Sequence, residues 1–140
     1  EGDYKNDKKE GKWITYYESG AIKDELSYVN GKLWERSFFY YESGQVKMEF
    51  NSVDGKFEGE WVSYYENGIV ELKGNYFDGK QEGKWLLYFD NGSLGIVKSY
   101  LNGKVHGEFL LYYKSGRLKD KDIYENGKCV EMCEGDEEEN

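Results

Sequence analysis

The sequence predicts an all-β protein, built as one elongated, twisted antiparallel sheet in which each strand pairs with its neighbours along the chain. Aromatic residues are abundant, with 14 Tyr, 7 Phe and 4 Trp, and the chain has 18 Gly and no Pro. Glycine recurs at one fixed interval along the chain. Dipeptides that favour tight turns separate segments rich in strand-forming residues. These observations indicate five hairpin repeats and a meander of about ten strands.

Two glycine ladders mark the turns of each repeat. Glycines of the first ladder follow Ser or Asn; glycines of the second follow Asn or Asp and precede Lys. Such dipeptides occupy hairpin turns because they tolerate the positive φ that these turns require. The first ladder is Gly20, Gly44, Gly68, Gly92 and Gly116. The second ladder is Gly31, Gly55, Gly79, Gly103 and Gly127.

The turns predict a register and therefore two faces. If residues 19–20 form a two-residue turn, Tyr17 faces Ile22, and Trp13 faces Leu26 on the same side. The second turn assigns the same residue columns to that side. We expect the sheet to coil so that this face is concave and filled by its own aromatic side chains. The repeated tryptophans of this face are Trp13, Trp61 and Trp85.

A third set of glycines opens the repeats, and in the predicted register each faces a tyrosine. We expect an aromatic ring to lie over each glycine, because glycine has no side chain to obstruct it. In the second repeat the glycine becomes Glu35 and its partner becomes Ser52, so the two change together. The set comprises Gly11, Gly59, Gly83 and Gly107.

The chain divides into three parts. Residues 1–10 form the end of a preceding partial repeat, residues 11–130 the five-repeat array, and residues 131–140 an acidic tail too charged to order. The sequence begins at Glu1, which fits both a removed export signal and a trimmed sequence. The compartment and the oligomeric state therefore stay open.

Composition argues against several functional classes. The net charge of −9 disfavours binding to nucleic acid and docking to anionic lipid. No apolar run approaches the ~20 residues of a membrane-spanning helix. His106 is the single histidine, and no nucleophile pattern accompanies it. We therefore predict no catalytic residues, no metal site, no cofactor and no enzymatic activity.

The face opposite the tryptophans offers the candidate binding residues. A column of tyrosines lies beside a column of mostly aliphatic residues, and together they would form an aromatic strip for a protein partner. The alternative is that these side chains only cover the sheet, as core filling is the alternative for the tryptophan face. The tyrosine column is Tyr16, Tyr40, Tyr64, Tyr88 and Tyr112, and its neighbours are Phe38, Val62, Leu86 and Leu110.

Two cysteines close the array. Cys129 and Cys133 occupy columns of the tryptophan face. If the strand continues, their Cα atoms lie about 13 Å apart, too far for a disulfide. A disulfide therefore requires the chain to turn after Cys129. A pair of cysteines with this spacing is also a weak metal signal, and free small apolar residues remain the third interpretation.

The repeat resembles the MORN family (membrane occupation and recognition nexus) in its bacterial variant form. The pattern is G-x-W-x-x-Y-Y-E-[SN]-G, an aliphatic residue two places later, then Y-x-[ND]-G-K, and it covers the chain from Tyr4 to Lys128. The resemblance implies an elongated meander of β-hairpins with a non-enzymatic binding or scaffolding role. Membrane-surface binding is the alternative that it implies, and an antitoxin-like protein with a toxin partner is a second alternative.

Overall fold

The protein forms one open antiparallel sheet. The computed structural model describes residues 1–133, a range that contains strands and turns but no helix. Twelve of its thirteen strands pair in chain order, and the short fourth strand pairs only with the third, so the sheet is a meander. The strands are β1 (Asp3–Lys5), β2 (Lys8–Tyr16), β3 (Ile22–Val29), β4 (Lys32–Leu33), β5 (Glu35–Tyr40), β6 (Val46–Val53), β7 (Lys56–Tyr64), β8 (Val70–Phe77), β9 (Lys80–Tyr88), β10 (Leu94–Leu101), β11 (Lys104–Tyr112), β12 (Leu118–Glu125) and β13 (Lys128–Glu131).

The predicted all-β meander of hairpin repeats is thus confirmed. Strand β4 is short because the pairing with β3 is interrupted at Trp34, after which β5 resumes it. Of the predicted acidic tail, residues 134–140 lie outside the described residues.

The Asn-Gly and Asp-Gly turns have the predicted two-residue geometry. At the turn between β3 and β4, φ is 52° at Asn30 and 82° at Gly31. Positive φ at both central residues defines a type I′ turn, whose twist matches that of the flanking strands. Asp7 stands where the other turns have glycine, and it adopts φ 61°. Strands β1 and β2 therefore form a hairpin in spite of the substitution.

The first turn of each repeat is longer than predicted. The Tyr17 amide donates to the Ala21 carbonyl, and the Gly20 amide donates to the Tyr17 carbonyl, so three residues form the loop. One extra residue then bulges from β3, which restores the predicted pairing of Trp13 with Leu26. The prediction that Tyr17 faces Ile22 is wrong. Ile22 pairs with Tyr16 and lies on the face opposite Trp13.

The glycines that open the repeats serve backbone conformation. Gly83 pairs with Tyr100 as predicted, but a Cβ added to Gly83 would meet nothing within 4 Å. The expected ring over the glycine is therefore absent there, and that explanation is wrong. Gly83 adopts φ 69° at a bulge between β8 and β9, a conformation that costs L-residues roughly 1–2 kcal/mol. Glu35, which replaces this glycine in the second repeat, adopts φ 63°.

Tryptophan rings do lie over glycines at two other positions. A Cβ on Gly74 would lie 2.2 Å from the Trp85 ring, and a Cβ on Gly2 would lie 2.4 Å from the Trp13 ring. In both cases the indole N–H donates to the carbonyl of the residue after the glycine, at 3.2 Å for Asn75. The two sites occupy the same columns three repeats apart, so one local arrangement recurs within the array.

The sheet has two distinct faces. The groove face carries Trp13, Trp61 and Trp85; the tyrosine face carries the tyrosine column. Rings on the groove face contact one another across strands, as Phe57 and Tyr76 do at 5.1 Å between centroids. Trp85 is only 4% exposed there, and Val62 on the tyrosine face is 5% exposed. Core packing is thus shared between both faces of a single sheet.

Consecutive repeats are joined by a second tyrosine column, the residues that follow the predicted one. Their hydroxyls donate to backbone carbonyls of the next repeat. Tyr17 donates to the Tyr40 carbonyl at 2.6 Å, and Tyr65 donates to the Tyr88 carbonyl at 2.7 Å. Phe89 occupies the corresponding place in the fourth repeat and has no hydroxyl to donate. The sequence predicted the face on which Tyr17 lies, but not the hydrogen bond of its hydroxyl to the next repeat.

The type I′ turns stack on one another along the opposite edge of the sheet. The Gly55 amide donates to the Leu33 carbonyl at 2.9 Å, and the Gly79 amide donates to the Phe57 carbonyl at 3.0 Å. A Cβ on Gly79 would touch the Lys56 side chain at 3.5 Å. The turn glycines Gly31, Gly55, Gly79 and Gly103 therefore pack over the lysine of the preceding turn, whereas a Cβ on Gly127 would meet nothing within 4 Å.

Candidate functional site

The structure places the predicted binding residues together on the tyrosine face. Within the tyrosine column Tyr16 is 46% exposed, while Tyr40, Tyr64, Tyr88 and Tyr112 are half-buried. Phe38 stacks on Tyr40 with ring centroids 6.2 Å apart. Leu86 and Leu110 are half-buried, whereas the low exposure of Val62 leaves it little surface to offer a partner.

Glutamates of the preceding repeat engage two hydroxyls of the tyrosine column. Tyr64 donates to Glu49 at 2.7 Å, and Glu49 also pairs with Arg36. Burial, together with the hydrogen bond to Glu49, raises the pKa of Tyr64 to about 12. Tyr40 donates to Glu25 at 3.4 Å in the same arrangement one repeat earlier. These hydroxyls contribute to contacts between repeats, which the sequence did not indicate.

The groove face contains an apolar groove that sequence reasoning missed. A cavity of about 420 Å³ lies over the centre of the array, and a second of about 200 Å³ adjoins it through Leu72 and Leu87. The apolar floor follows one row of paired residues across six strands. That row is Phe39, Met48, Ser63, Leu72, Leu87 and Ile96.

Charged side chains stand at the rim and at one end of the groove. Glu71 is half-buried, and its carboxylate lies 3.5 Å from the hydroxyl of Ser63. Among the described residues Glu71 forms no ion pair. Lys47 also lines the groove, but its ammonium lies over the Tyr41 ring, 5.5 Å from the centroid. Asp24 pairs with Phe39 at the end of the row.

Asp24 is a buried carboxylate with one satisfied oxygen. Only 8% of the residue is exposed. One oxygen accepts a hydrogen bond from the Thr15 hydroxyl at 2.5 Å, and the other has no partner in the described part of the chain. Such an oxygen is costly to bury, and a cation or donor supplied by a ligand would offset that cost. The groove therefore combines an apolar floor with incompletely compensated negative charge.

The lysines that follow the glycines of the second ladder lie at the stacked turns; they are Lys32, Lys56, Lys80, Lys104 and Lys128. Lys32 pairs with Asp54 at 2.7 Å, and Lys56 pairs with Asp78 at 2.6 Å, so these two lysines meet an acid of the following turn. These exposed pairs add little stability, but they reduce the positive charge that this edge presents. Within residues 1–133, no helix is long and apolar enough to cross a membrane.

His106 takes the place of a turn-capping glutamate. In the third repeat Glu58 accepts a hydrogen bond from the Asp78 amide at 2.8 Å. His106 Nδ1 accepts from the Asn126 amide at 3.4 Å in the fifth repeat. The position therefore serves the turn stack.

The two cysteines lie close together. Strand β13 ends at Glu131, and Met132 turns the chain with φ 60°. The Cα atoms of Cys129 and Cys133 are consequently 6.0 Å apart, and the two form a disulfide. The extended geometry considered from the sequence, which would hold the two residues too far apart to be linked, is wrong because the strand stops. Asp122 lies beside the disulfide.

The family described as MORN repeat variant matches this chain over residues 9–30, 36–54, 57–78 and 105–126. These segments cover more than half of the chain, and each of them coincides with one hairpin of the meander. The chain belongs to the MORN repeat variant family. No curated protein matches it. The family indicates a repeat module that binds proteins or associates with membranes.

Proposed function

We propose that this chain is a non-enzymatic binding module whose groove face takes a segment of a protein partner bearing apolar and basic side chains. The observation that carries the proposal is the position of Glu71. Its half-buried carboxylate lacks an ion pair among the described residues, yet it borders the apolar floor of the groove. A ligand that fits must therefore supply both apolar surface and positive charge.

The floor of the groove supplies the apolar contribution. Met48, Trp61 and Leu72 line the larger cavity, and its volume of about 420 Å³ has room for one or two large side chains. Full burial of a leucine-sized side chain contributes roughly 1.5–3 kcal/mol. The adjoining cavity extends the floor towards Tyr100. The row runs across the strands, so an extended segment would lie along the array and contact successive repeats.

The acidic side chains of the groove favour a positively charged ligand. Glu71 stands beside the floor and Asp24 at its end, with an unpaired oxygen on Asp24 among the described residues. Lys47 lies over the Tyr41 ring, and it forms no ion pair with an acid among the described residues. The net charge of −9 also favours encounter with a basic segment. A cationic side chain next to an apolar one complements this surface.

The tyrosine column stays a second predicted surface. Tyr16 is its most accessible member, while the hydroxyls of Tyr40 and Tyr64 are bonded to glutamates. A partner there would meet ring edges and the neighbouring aliphatic residues. A toxin bound by an antitoxin-like protein is one form that a protein partner could take on either surface.

Lipid binding receives less support. Two lysines of the turn stack, Lys32 and Lys56, are paired with Asp54 and Asp78. Vesicles of anionic phospholipid nevertheless provide a direct comparison with a peptide ligand. Flotation at low ionic strength favours the membrane alternative if the protein rises with the vesicles, and the peptide proposal if it stays in solution.

The experiment uses two labelled peptides of equal length. One alternates leucine with lysine, and the other alternates leucine with glutamate. Fluorescence anisotropy at physiological salt should show binding of the lysine peptide only. Glu71→Gln should weaken that binding about tenfold, the equivalent of 1.4 kcal/mol. Glu66→Gln, an exposed acid at a turn, should leave it unchanged and controls for net charge.

Two further variants separate the surfaces. Leu72→Ser removes apolar floor and should weaken the lysine peptide, whereas Tyr16→Ser should not. Equal binding of both peptides, or equal effects of Glu71→Gln and Glu66→Gln, would contradict the groove proposal. If only Tyr16→Ser abolished binding, the binding site would lie on the tyrosine column and not in the groove.

A further inference from the structure

Three columns of the groove face change character together at the end of the array. Around the junction of the second and third repeats they hold Phe50, Phe57 and Trp61; the rings of Phe50 and Phe57 lie 5.0 Å apart, and Phe50 pairs with Trp61 across the strands. Three repeats later the same columns hold Asp122, Cys129 and Cys133. An apolar aromatic cluster is thus replaced by three residues whose side chains ligate metal ions.

The fold brings these three side chains to one place. One carboxylate oxygen of Asp122 and the two sulfur atoms all lie within 4.8 Å of one another. Pairing of β12 with β13 positions Asp122 and Cys129, and the turn at Met132 returns Cys133 to them. Asp122 and Cys129 are half-buried and Cys133 is exposed, so the cluster is open to solvent on one side.

Asp122 has an unsatisfied oxygen in this cluster. Its Oδ1 is buried and has no hydrogen-bond partner in the described part of the chain. The nearby cations are engaged elsewhere: Lys98 lies over the Phe109 ring at 5.1 Å, and Lys121 pairs with Glu108 at 2.5 Å. A buried carboxylate oxygen without a partner is unfavourable. A metal cation is the kind of ligand that this oxygen and two sulfurs would share.

We propose that, in the reduced protein, Asp122, Cys129 and Cys133 form a site for a thiophilic divalent cation of the Zn²⁺ type. Two thiolates and one carboxylate match the ligands that zinc takes, and a water would complete a tetrahedral set. Ligand atoms around one zinc lie roughly 3.5–4 Å apart, given bonds of about 2.0–2.3 Å. Side-chain rotation within the existing cluster therefore suffices.

The site is controlled by the oxidation state of the sulfurs. A thiol or phosphine reductant supplies two electrons, which together with two protons convert the disulfide into two thiols. Binding of the cation then displaces the two thiol protons, because thiolates are the ligands. The disulfide form has no thiolate to offer and excludes the metal.

The test is a metal titration of the full chain. The protein is reduced with a phosphine, stripped with a chelator and titrated without oxygen, using Co²⁺ for the sulfur-to-metal charge-transfer band and Zn²⁺ against a chromophoric chelator. We expect one ion per chain and no binding by the oxidised protein. Cys129→Ser and Cys133→Ser should abolish the charge-transfer band. Asp122→Asn should weaken Zn²⁺ binding at least tenfold.

Two variants keep the test decisive. Asp120→Asn changes an exposed acid on the same strand and should bind like the wild type. Asp122→His restores a ligand atom and should recover affinity while shifting the Co²⁺ spectrum, even if Asp122→Asn loosens the strand. Absence of a charge-transfer band in the reduced wild type would overturn the site. Equal Zn²⁺ affinity of Asp122→Asn and wild type would do so as well.

Discussion

The hydroxyl of Tyr41 donates a hydrogen bond of 2.7 Å to the backbone carbonyl of Tyr64, 23 residues further along the chain. The bond spans nearly one whole repeat, so it joins neighbouring units in addition to their strand pairing and their stacked turns. Its equivalents at Tyr17 and Tyr65 make it a regular feature of the array. In the first three repeats the second tyrosine of the Tyr-Tyr pair is therefore a structural residue.

Removing this hydroxyl should destabilise the array without changing its shape. Tyr65→Phe leaves the Tyr88 carbonyl without its donor and should lower the free energy of unfolding by about 1 kcal/mol. Phe89→Tyr supplies the missing donor in the fourth repeat and should raise it by a similar or smaller amount. Urea denaturation followed by circular dichroism measures both. Equal stability of Tyr65→Phe and wild type would contradict a role for the bond.

A methyl group on Gly74 should disturb the tryptophan that covers it. The added Cβ would lie 2.2 Å from the Trp85 ring, which is almost fully buried and cannot easily withdraw. Overpacking of this kind costs roughly 1–3 kcal/mol, so Gly74→Ala should lose that much stability and alter tryptophan fluorescence. Asn75→Ala, at the exposed position next to Gly74, controls for strand position. Equal losses in the two variants would show that the ring does not depend on the glycine.

Glu35 and Gly83 occupy the same position with positive φ in different repeats, so exchanging side chain and glycine there should have opposite effects on stability. Glu35→Gly should stabilise the protein by roughly 1 kcal/mol, because Glu35 now adopts a positive φ that disfavours side chains. Gly83→Ala should destabilise it by a similar amount, although a Cβ there has open space. Thermal unfolding of the two variants checks the signs. If Gly83→Ala unfolds like the wild type, backbone conformation is not the reason for the glycine.

The raised pKa of Tyr64 predicts how the free energy of unfolding decreases at alkaline pH. Its pKa rises from 10.0 to about 12 in the folded chain, so the folded protein keeps a proton that the unfolded protein releases within this interval. The stabilisation is complete below the unfolded pKa and is lost as pH rises through the folded one. Tyr64→Phe should therefore show a shallower decrease of unfolding free energy above pH 10. An unchanged slope, measured by urea denaturation at successive pH values, would contradict the assignment.

Turn chemistry made much of the fold predictable. The Asn-Gly and Asp-Gly steps specified type I′ turns because few other dipeptides tolerate two positive φ values. Ser19–Gly20 was ambiguous, since a two-residue turn and a three-residue loop with a bulge both place glycine at positive φ. The choice between them depends on pairing beyond the turn. That choice moved Ile22 to the other face while leaving Trp13 opposite Leu26.

The candidate site was less predictable, for a physical reason. The tyrosine column could be recognised as a column, but the glutamates that bond Tyr40 and Tyr64 come from a different repeat. The groove arises where several columns meet across strands, and Glu71 belongs to a bulge that the predicted register lacked. Cys129 and Cys133 were extrapolated along a strand that ends at Glu131.

Every strand of this sheet pairs with its neighbour in sequence. Among the described residues, each strand pairs with a strand that is close to it in sequence, so its backbone hydrogen bonds do not depend on a distant part of the chain. Such local topologies fold quickly, because little loop entropy is lost before contacts form. During synthesis each hairpin could join the growing sheet as soon as it leaves the ribosome, and the next type I′ turn would then settle on the one before it. The order of translation is thus also an order in which the array can assemble.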